Sequence, residues 1–391
     1  MKQLFLSLLL FLFFPFGAKA QEDTLPIIAY MGVAHDQSSD QTFKDFKTAG
    51  FDINITDYYT LEEVKTALYY ANRQGVRIIS RCVETDNNMT KAARELCNYP
   101  ALYGYLFSDE PSAEKFSTLR KAIESVRKVD SQHMFYVNLL PYYGKSILKQ
   151  TKTTTYEDYV RQATALGTQQ VSFDFYPITK DGFRSMYYAN LEIVRNECQK
   201  AGLPFWGFVL ATPHHVYPQP TEGSIRFQAY SNLAYGAQAI QYYTYWTPRP
   251  HDVYDYHNGP IAQNGKKTST YTIVKKINAE LKQVGGLFVG ATVKSVHHLR
   301  QIPEGATALT TMPVNIKSIS TSDSNGLVVS QLLKNGHTYL VLVNKNYMQS
   351  TTVRITASNA TPRRVTKTLK EEALKQSYKV GAGDILIVRL T

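Results

Sequence analysis

One repeated alternation restricts this chain more than any other feature. Eight short apolar runs recur at a mean spacing of about 30 residues, the size of one strand-helix unit. They cover 27–33, 52–56, 76–81, 102–107, 133–140, 170–175, 205–212 and 239–246. Apolar residues return with a helical period in the gaps. Val64, Leu68 and Ala71 mark 61–73, and Phe116, Leu119, Ile123 and Val126 mark 111–129. Segments 186–198 and 225–237 behave alike, and 270–285 reads as a closing helix. Eight such units predict an α/β chain folded as a (β/α)8 TIM barrel. An open doubly wound sheet would carry a Gly-rich phosphate turn after an early strand. The first turn here, Gly32-Val33-Ala34-His35-Asp36, has none.

Past about residue 293 the pattern changes. Segments 326–333, 337–343, 351–355 and 384–390 alternate like strands and are separated by Asn-Gly and similar turns. This predicts a small all-β sandwich. The first 20 residues form a third object. Lys2 precedes an apolar run from Leu4 to Phe14, and Ala18-Lys19-Ala20 places small residues at a cleavage position. That is the pattern of a secretory signal peptide. The expected division is therefore a signal at 1–20, a barrel at 21–290 and a sandwich at 291–391. Secretion or a periplasmic location follows from the leader. No later run is apolar enough to span a membrane.

Charge is unevenly placed. Residues 291–391 hold 13 Lys+Arg against 5 Asp+Glu, whereas the barrel segment is nearly neutral. A basic tail suits an acidic glycan or envelope surface, or is simply a solvated face. Nothing resembles a nucleic-acid motif. Cys82, Cys97 and Cys198 make no zinc pattern; an oxidising compartment permits one bridge, with Cys82 and Cys97 nearest in sequence. No metal and no cofactor is expected, and protein partners stay open.

A barrel carries its active site at the C-terminal ends of its strands. Those ends supply Tyr30, Asp57, Tyr58 and Arg81, then Asp109 and Glu110 before Pro111. Asn138, Tyr142 and Tyr143 follow, then Asp174 and Tyr176, then Thr212, His214 and His215. The eighth strand adds Tyr242, Tyr243, Tyr245 and Trp246. Aromatic faces stack on sugar rings, and carboxylates and amides grip hydroxyl groups. Glycosidic cleavage needs a carboxyl acid and a second carboxylate as base or nucleophile. Glu110 and Asp174, with Asp109, are the catalytic candidates. Tyr30, Asn138, Tyr176, Tyr243 and Trp246 are the candidates for the sugar subsite. The bland readings are a first-turn helix acid for Glu110, a turn residue for Asp174, and core or rim for the tyrosines. Trp206, inside its strand, reads as core. Arg81 reads as an ion-pair partner or an acidic-sugar contact. His214, His215, His251 and His257 read as solvated loop residues or sugar contacts rather than metal ligands.

Asp109-Glu110-Pro111 resembles the Asn-Glu-Pro signature of clan A glycoside hydrolases, in which the strand-four Glu is the acid/base. The segments ALYGYLFSDEP and FQAYSNLAYGAQAIQYYTYW, with a sandwich after the barrel, are similar to secreted barrel glycosidases of the β-galactosidase and cellulase kind. The resemblance implies hydrolysis of O-glycosidic bonds in a polysaccharide or glycoconjugate, with Glu110 as proton donor. One departure stands out. Clan A places its nucleophile as a Glu at the end of strand seven, and Leu210-Ala211-Thr212-Pro213 has none; Glu222 is the nearest. Three solutions stay open: Glu222 loops back, Asp174 substitutes, or Asp109-Glu110 works as the pair of hexosaminidases, where the Asp orients an acetamido group of the substrate. A carbohydrate-binding protein on a barrel that lost its nucleophile, or an envelope protein docking through its basic sandwich, are the non-enzymic alternatives.

Overall fold

In a computed structural model, residues 24–391 are described; the expected leader lies outside them. Eight strands close the barrel: β1 Ile27–Tyr30, β2 Ile53–Tyr58, β3 Arg77–Cys82, β4 Leu102–Asp109, β5 Met134–Leu139, β6 Val171–Phe173, β7 Phe205–Leu210 and β8 Ala239–Tyr243. All neighbours pair in parallel, and β8 returns to β1 with Ile27 opposite Ile240. Strands covered on both faces read as nearly continuous apolar runs, as Phe205–Leu210 does, with all six residues buried. Successive side chains alternate between faces. Ile28, Ile55, Ile79, Leu106, Trp206 and Phe208 therefore fill the interior, while Ile27, Ile78, Phe135, Val209 and Ile240 meet the surrounding helices.

The helices are α1 Asp40–Thr48, α2 Leu61–Arg73, α3 Met89–Leu96, α4 Phe116–Arg127, α5 Leu148–Thr151, α6 Tyr156–Thr164, α7 Tyr187–Ala201, α8 Glu222–Ala234 and α9 Ser269–Val284. In α2 the Thr60 side chain accepts from the Glu63 N–H, and the Glu63 side chain accepts from the Thr60 N–H, closing both ends of a capping box worth roughly 1 kcal/mol. Its buried face is Leu61, Val64, Ala67, Leu68 and Ala71, the helical stripe read from the sequence. The predicted strand 170–175 ends early, at Phe173, because Asp174 and the residues after it leave the sheet for the mouth.

The C-terminal region forms two antiparallel sheets from β9 Thr292–Leu299, β10 Ile316–Thr321, β11 Leu327–Lys334, β12 His337–Asn344, β13 Thr351–Ala357, β14 Arg363–Val365, β15 Glu371–Ala373, β16 Ser377–Val380 and β17 Ile385–Arg389. The orders are β9-β11-β12-β17-β14-β15 and β10-β13-β16. Leu327, Val329, Leu340, Leu342, Val353 and Ile355 form the core between them.

The sandwich docks on α8, which explains why that helix is buried on almost every side. Gly223 is required there, since an added Cβ would fall 2.2 Å from the Tyr347 carbonyl oxygen. Ser330 Oγ donates to the Ala234 carbonyl (2.7 Å). Lys367 bridges Glu280 (2.6 Å) and Asp384 (2.5 Å), and Arg226 meets Glu280 at 3.0 Å. Lys367, one of the tail domain's surplus cations, thus faces the barrel rather than solvent alone. Cys82, Cys97 and Cys198 are free thiols. Cys82 and Cys97 do not pair because they sit at opposite ends of the β3–α3 unit. Among the described residues, no helix is long and apolar enough to cross a membrane.

Candidate active site

Strand alternation should send Asp109 and Glu110 to opposite faces. Both instead line one cavity of about 420 Å³ at the C-terminal mouth of the barrel. The cause is local: Glu110 takes φ 47°, a left-handed conformation that costs a residue with a Cβ roughly 1–2 kcal/mol. Its N–H donates to the Asn138 carbonyl (2.9 Å), which holds the turn. The β4–β5 register also slips between Leu106 and Ser108.

Asn138 on β5 organises the carboxyls. Its Nδ2 donates to Asp109 Oδ1 (3.0 Å) and to Asp174 Oδ1 (2.8 Å). Its Oδ1 accepts from Ser172 Oγ (2.8 Å), which in turn accepts from Gln241 Nε2 (2.8 Å). Tyr136 OH donates to Gln241 Oε1 (2.7 Å). This chain across the barrel core fixes which end of the Asn138 amide faces the acids. Both Asn138 donors are engaged, and the residue is 3% exposed. It holds the carboxyls in place and also lines the cavity.

Asp174 and Glu110 line the same cavity and titrate as an interacting pair. Two neighbouring carboxylates cannot both ionise easily, so the proton affinity of each is raised. Burial, then the charges of Glu110 and Asp109, push Asp174 well above the usual carboxylate range. Burial, then the Asp109 charge, pushes Glu110 up to about 7. Asp109 is raised by burial, against hydrogen bonds from Asn138 and Tyr30 that favour its charged form. Asp109 and Glu110 are nevertheless open to the water of the cavity, and Asp174 is half-buried. Desolvation here comes from the surrounding walls, not from closure, and cavity water moderates it.

Aromatics make the walls. Tyr30 packs on Phe208 (centroids 5.8 Å), Tyr176 on Tyr243 (5.7 Å), and Tyr243 OH meets Tyr256 OH at 2.7 Å. His214 also lines the cavity; its Nδ1 lies 2.9 Å from the Thr212 carbonyl, and burial lowers its proton affinity, so the ring is neutral.

A comparison with known sequences and structures then adds the reaction class. Residues 107–284 match the sequence model of glycoside hydrolase family 42, described as Beta-galactosidase. That segment includes Asp109, Glu110, Asn138 and Asp174. The chain is a glycoside hydrolase. Its fold is similar to that of the β-galactosidase from Bacillus circulans sp. alkalophilus, at 9% identity and TM-score 0.63, covering 94% of this chain and 99% of that one. A GH42 β-galactosidase from G. stearothermophilus is also similar, at 7% identity and TM-score 0.63, covering 95% and 98%. No curated protein sequence matches. The resemblance to clan A barrels read from Asp109-Glu110-Pro111 thus extends to the closed barrel and the following β-sheets.

The hydrolase brings five further expected residues to this cavity: Asp174, Asn138, Tyr30, Tyr176 and Tyr243. Trp246 is a correction. The chain after β8 turns to bond with the β1 end, the Trp246 N–H donating to the Met31 carbonyl (3.0 Å). The indole is 8% exposed and lines a neighbouring cleft with His35 and Tyr59, outside the carboxyl cavity. Tyr30 lies between the two spaces. Tyr242 and Tyr245 point outward into the barrel-helix core against Phe51. Trp206 is core, packed on Tyr136. Arg81 pairs with Asp57 (3.4 Å) and Asp86 (2.7 Å). Glu222 does not loop back. It starts α8, bonds to Lys276 (2.7 Å) and Arg226 (3.1 Å), and faces a different groove. At the end of β7, Leu210 is buried and Thr212 is bonded to Thr244 (2.8 Å), so no carboxylate occupies the usual nucleophile position.

Sequence reasoning missed Arg184, Tyr217, Tyr254 and Tyr256, which line the cavity from loops. Only the aromatic density of the segments after strands seven and eight hinted at the last three. Among the described residues, no group of three His, Cys, Asp or Glu is placed to hold a metal ion.

Proposed function

We propose that this glycoside hydrolase cleaves O-glycosidic bonds in an extracellular or envelope-associated glycan, with Glu110 as the general acid. The observation that carries the assignment is the convergence of Asp109, Glu110 and Asp174 in one aromatic-walled cavity, with the proton affinities of Glu110 and Asp174 both raised. A carboxyl whose proton affinity is raised toward neutrality keeps its proton until the leaving oxygen needs it. Asp174 is its neighbouring acid, and Asn138 holds Asp174 and Asp109 in register. The leader pattern of residues 1–20 supports action outside the cytoplasm.

A second reading concerns the other half of the reaction. Two enzymic carboxyls acting across a sugar stand about 5 Å apart in retaining enzymes and about 6.5–9.5 Å in inverting ones. The absence of an acid at the end of β7, where Thr212 bonds to Thr244, favours a nucleophile from the substrate, an acetamido oxygen held by Asp109 or Asp174. The substrate would then be an N-acetylhexosamine glycoside.

The test is product release from neutral, acidic and N-acetylated glycans by the wild type, Glu110→Gln and Asp174→Asn. A loss of about a hundredfold or more in Glu110→Gln supports the acid role; an unchanged rate removes it. Competitive inhibition by a thiazoline of the cleaved N-acetyl sugar supports substrate assistance. A glycosyl azide formed by Asp174→Ala in azide instead identifies Asp174 as a nucleophile.

A further inference from the structure

Arg184 follows a small hairpin made by Ile178–Thr179 and Gly182–Phe183, and its N–H donates to the Pro177 carbonyl (2.8 Å). Its guanidinium lies 4.1 Å from the ring centroid of Tyr143 and 5.4 Å from that of Tyr217. All three residues line the cavity that holds Glu110. The two hydroxyls contact each other at 3.3 Å, which fixes the rings as a platform.

No carboxylate answers this cation: among the described residues the Arg184 side chain makes ring contacts and neither an ion pair nor a hydrogen bond. Two other arginines of the barrel are paired with acids by contrast; Arg81 meets Asp57 and Asp86, and Arg226 meets Glu222 and Glu280. The cavity's own acids are engaged elsewhere, Asp109 and Asp174 with Asn138, and Glu110 with Asp174. A guanidinium presents a planar fork of N–H donors matched to an anion with two or three oxygens. Stacking orients that fork and removes water from one face, which lowers the cost of binding an anion there.

We infer that the sugar bound in this cavity carries an anionic substituent, a carboxylate or a sulfate ester, and that Arg184 grips it while Glu110 reaches the scissile oxygen. The inference rests on the glycoside hydrolase reading of the same site. It makes Arg184 a specificity residue and places uronic-acid or sulfated glycans ahead of neutral galactosides.

The test uses the full chain carrying Glu110→Gln, so that binding is read without turnover. Titration calorimetry compares glucuronic acid, galacturonic acid and galactose 6-sulfate with glucose and galactose. At least one anionic sugar binds roughly tenfold or more tightly than its neutral counterpart, the size expected for a charge-assisted bond. Adding Arg184→Gln brings that ratio close to one, and Arg184→Lys restores part of it. Preference for the uronic acids identifies a carboxylate, and preference for the sulfated sugar a sulfate. Equal or tighter binding of the neutral sugars overturns the inference, as does binding of none of the anionic probes, or an equal loss for both classes in Arg184→Gln. Failure of the hydrolase reading is seen separately, as absence of cleavage by the wild type across neutral, acidic and N-acetylated glycans while the anion preference persists.

Discussion

Replacing Glu110 by Gln should strengthen the fold while removing its chemistry, and the two effects should separate with pH. The native carboxyl moves from an ordinary 4.5 up to about 7, mainly through burial and then through the charge of Asp109. A group whose proton affinity is raised by folding contributes stability that is complete below its unfolded value, here about 4.5, and that is lost as pH rises through about 7. The full interval corresponds to at most ~3 kcal/mol. Cavity water screens the group, and roughly half of that, about 1–2 kcal/mol, is the expected cost in the native protein at pH 8. Gln keeps the shape and removes the charge, although it keeps the left-handed backbone at φ 47°. The variant should therefore match the wild type at pH 4 and melt about 1–3 °C higher at pH 8. Differential scanning calorimetry from pH 4 to 9 reads this directly. Equal melting temperatures throughout, or a less stable variant at pH 8, would refute the view that the mouth holds a strained carboxyl with raised proton affinity.

Four other outcomes follow from the same geometry. Since the acid must be protonated, kcat/KM should fall as pH rises through about 7, the value for Glu110; a profile flat from pH 5 to 9 contradicts this. Asn138→Leu removes the N–H donors to Asp109 and Asp174, so both acids hold protons more tightly, kcat should drop about tenfold or more, and the acidic limb of the pH-rate profile should move up. Glu222→Gln should leave activity within about twofold, because its carboxylate is paired with Lys276 and Arg226 in another groove, and should cost under about 1 kcal/mol in denaturant titrations. A thiol reductant should leave the melting temperature unchanged, as the three cysteines are free; a fall of several degrees would show that a bridge exists.

Much of the architecture was legible because barrel strands and helices announce themselves locally. Runs such as 205–212 are apolar on both faces and so are unbroken in sequence, and the stripe Val64, Leu68 and Ala71 repeats at the helical period. Glu110, Asp174 and Asn138 were found by one positional rule, that chemistry sits at the C-terminal ends of barrel strands. That rule gives the rim but not the direction each side chain takes past it. Trp246 was misplaced for this reason: the backbone after β8 bends toward Met31 and carries the indole away from the acids. Loop residues such as Arg184 and Tyr217 were invisible because nothing periodic records where a loop folds over a mouth.

The sequence by itself therefore determined the eightfold strand-helix alternation, the all-β tail and which acids stand at strand ends, since these depend on short-range periodicity and burial. Only the tertiary structure decided that Asp109 and Glu110 face the same cavity, that Asp174 joins them there with a raised proton affinity, and that Arg184 meets no carboxylate. Each of those depends on distances between residues tens of positions apart and on one left-handed turn, and proton affinity is set by such neighbours rather than by the residue itself.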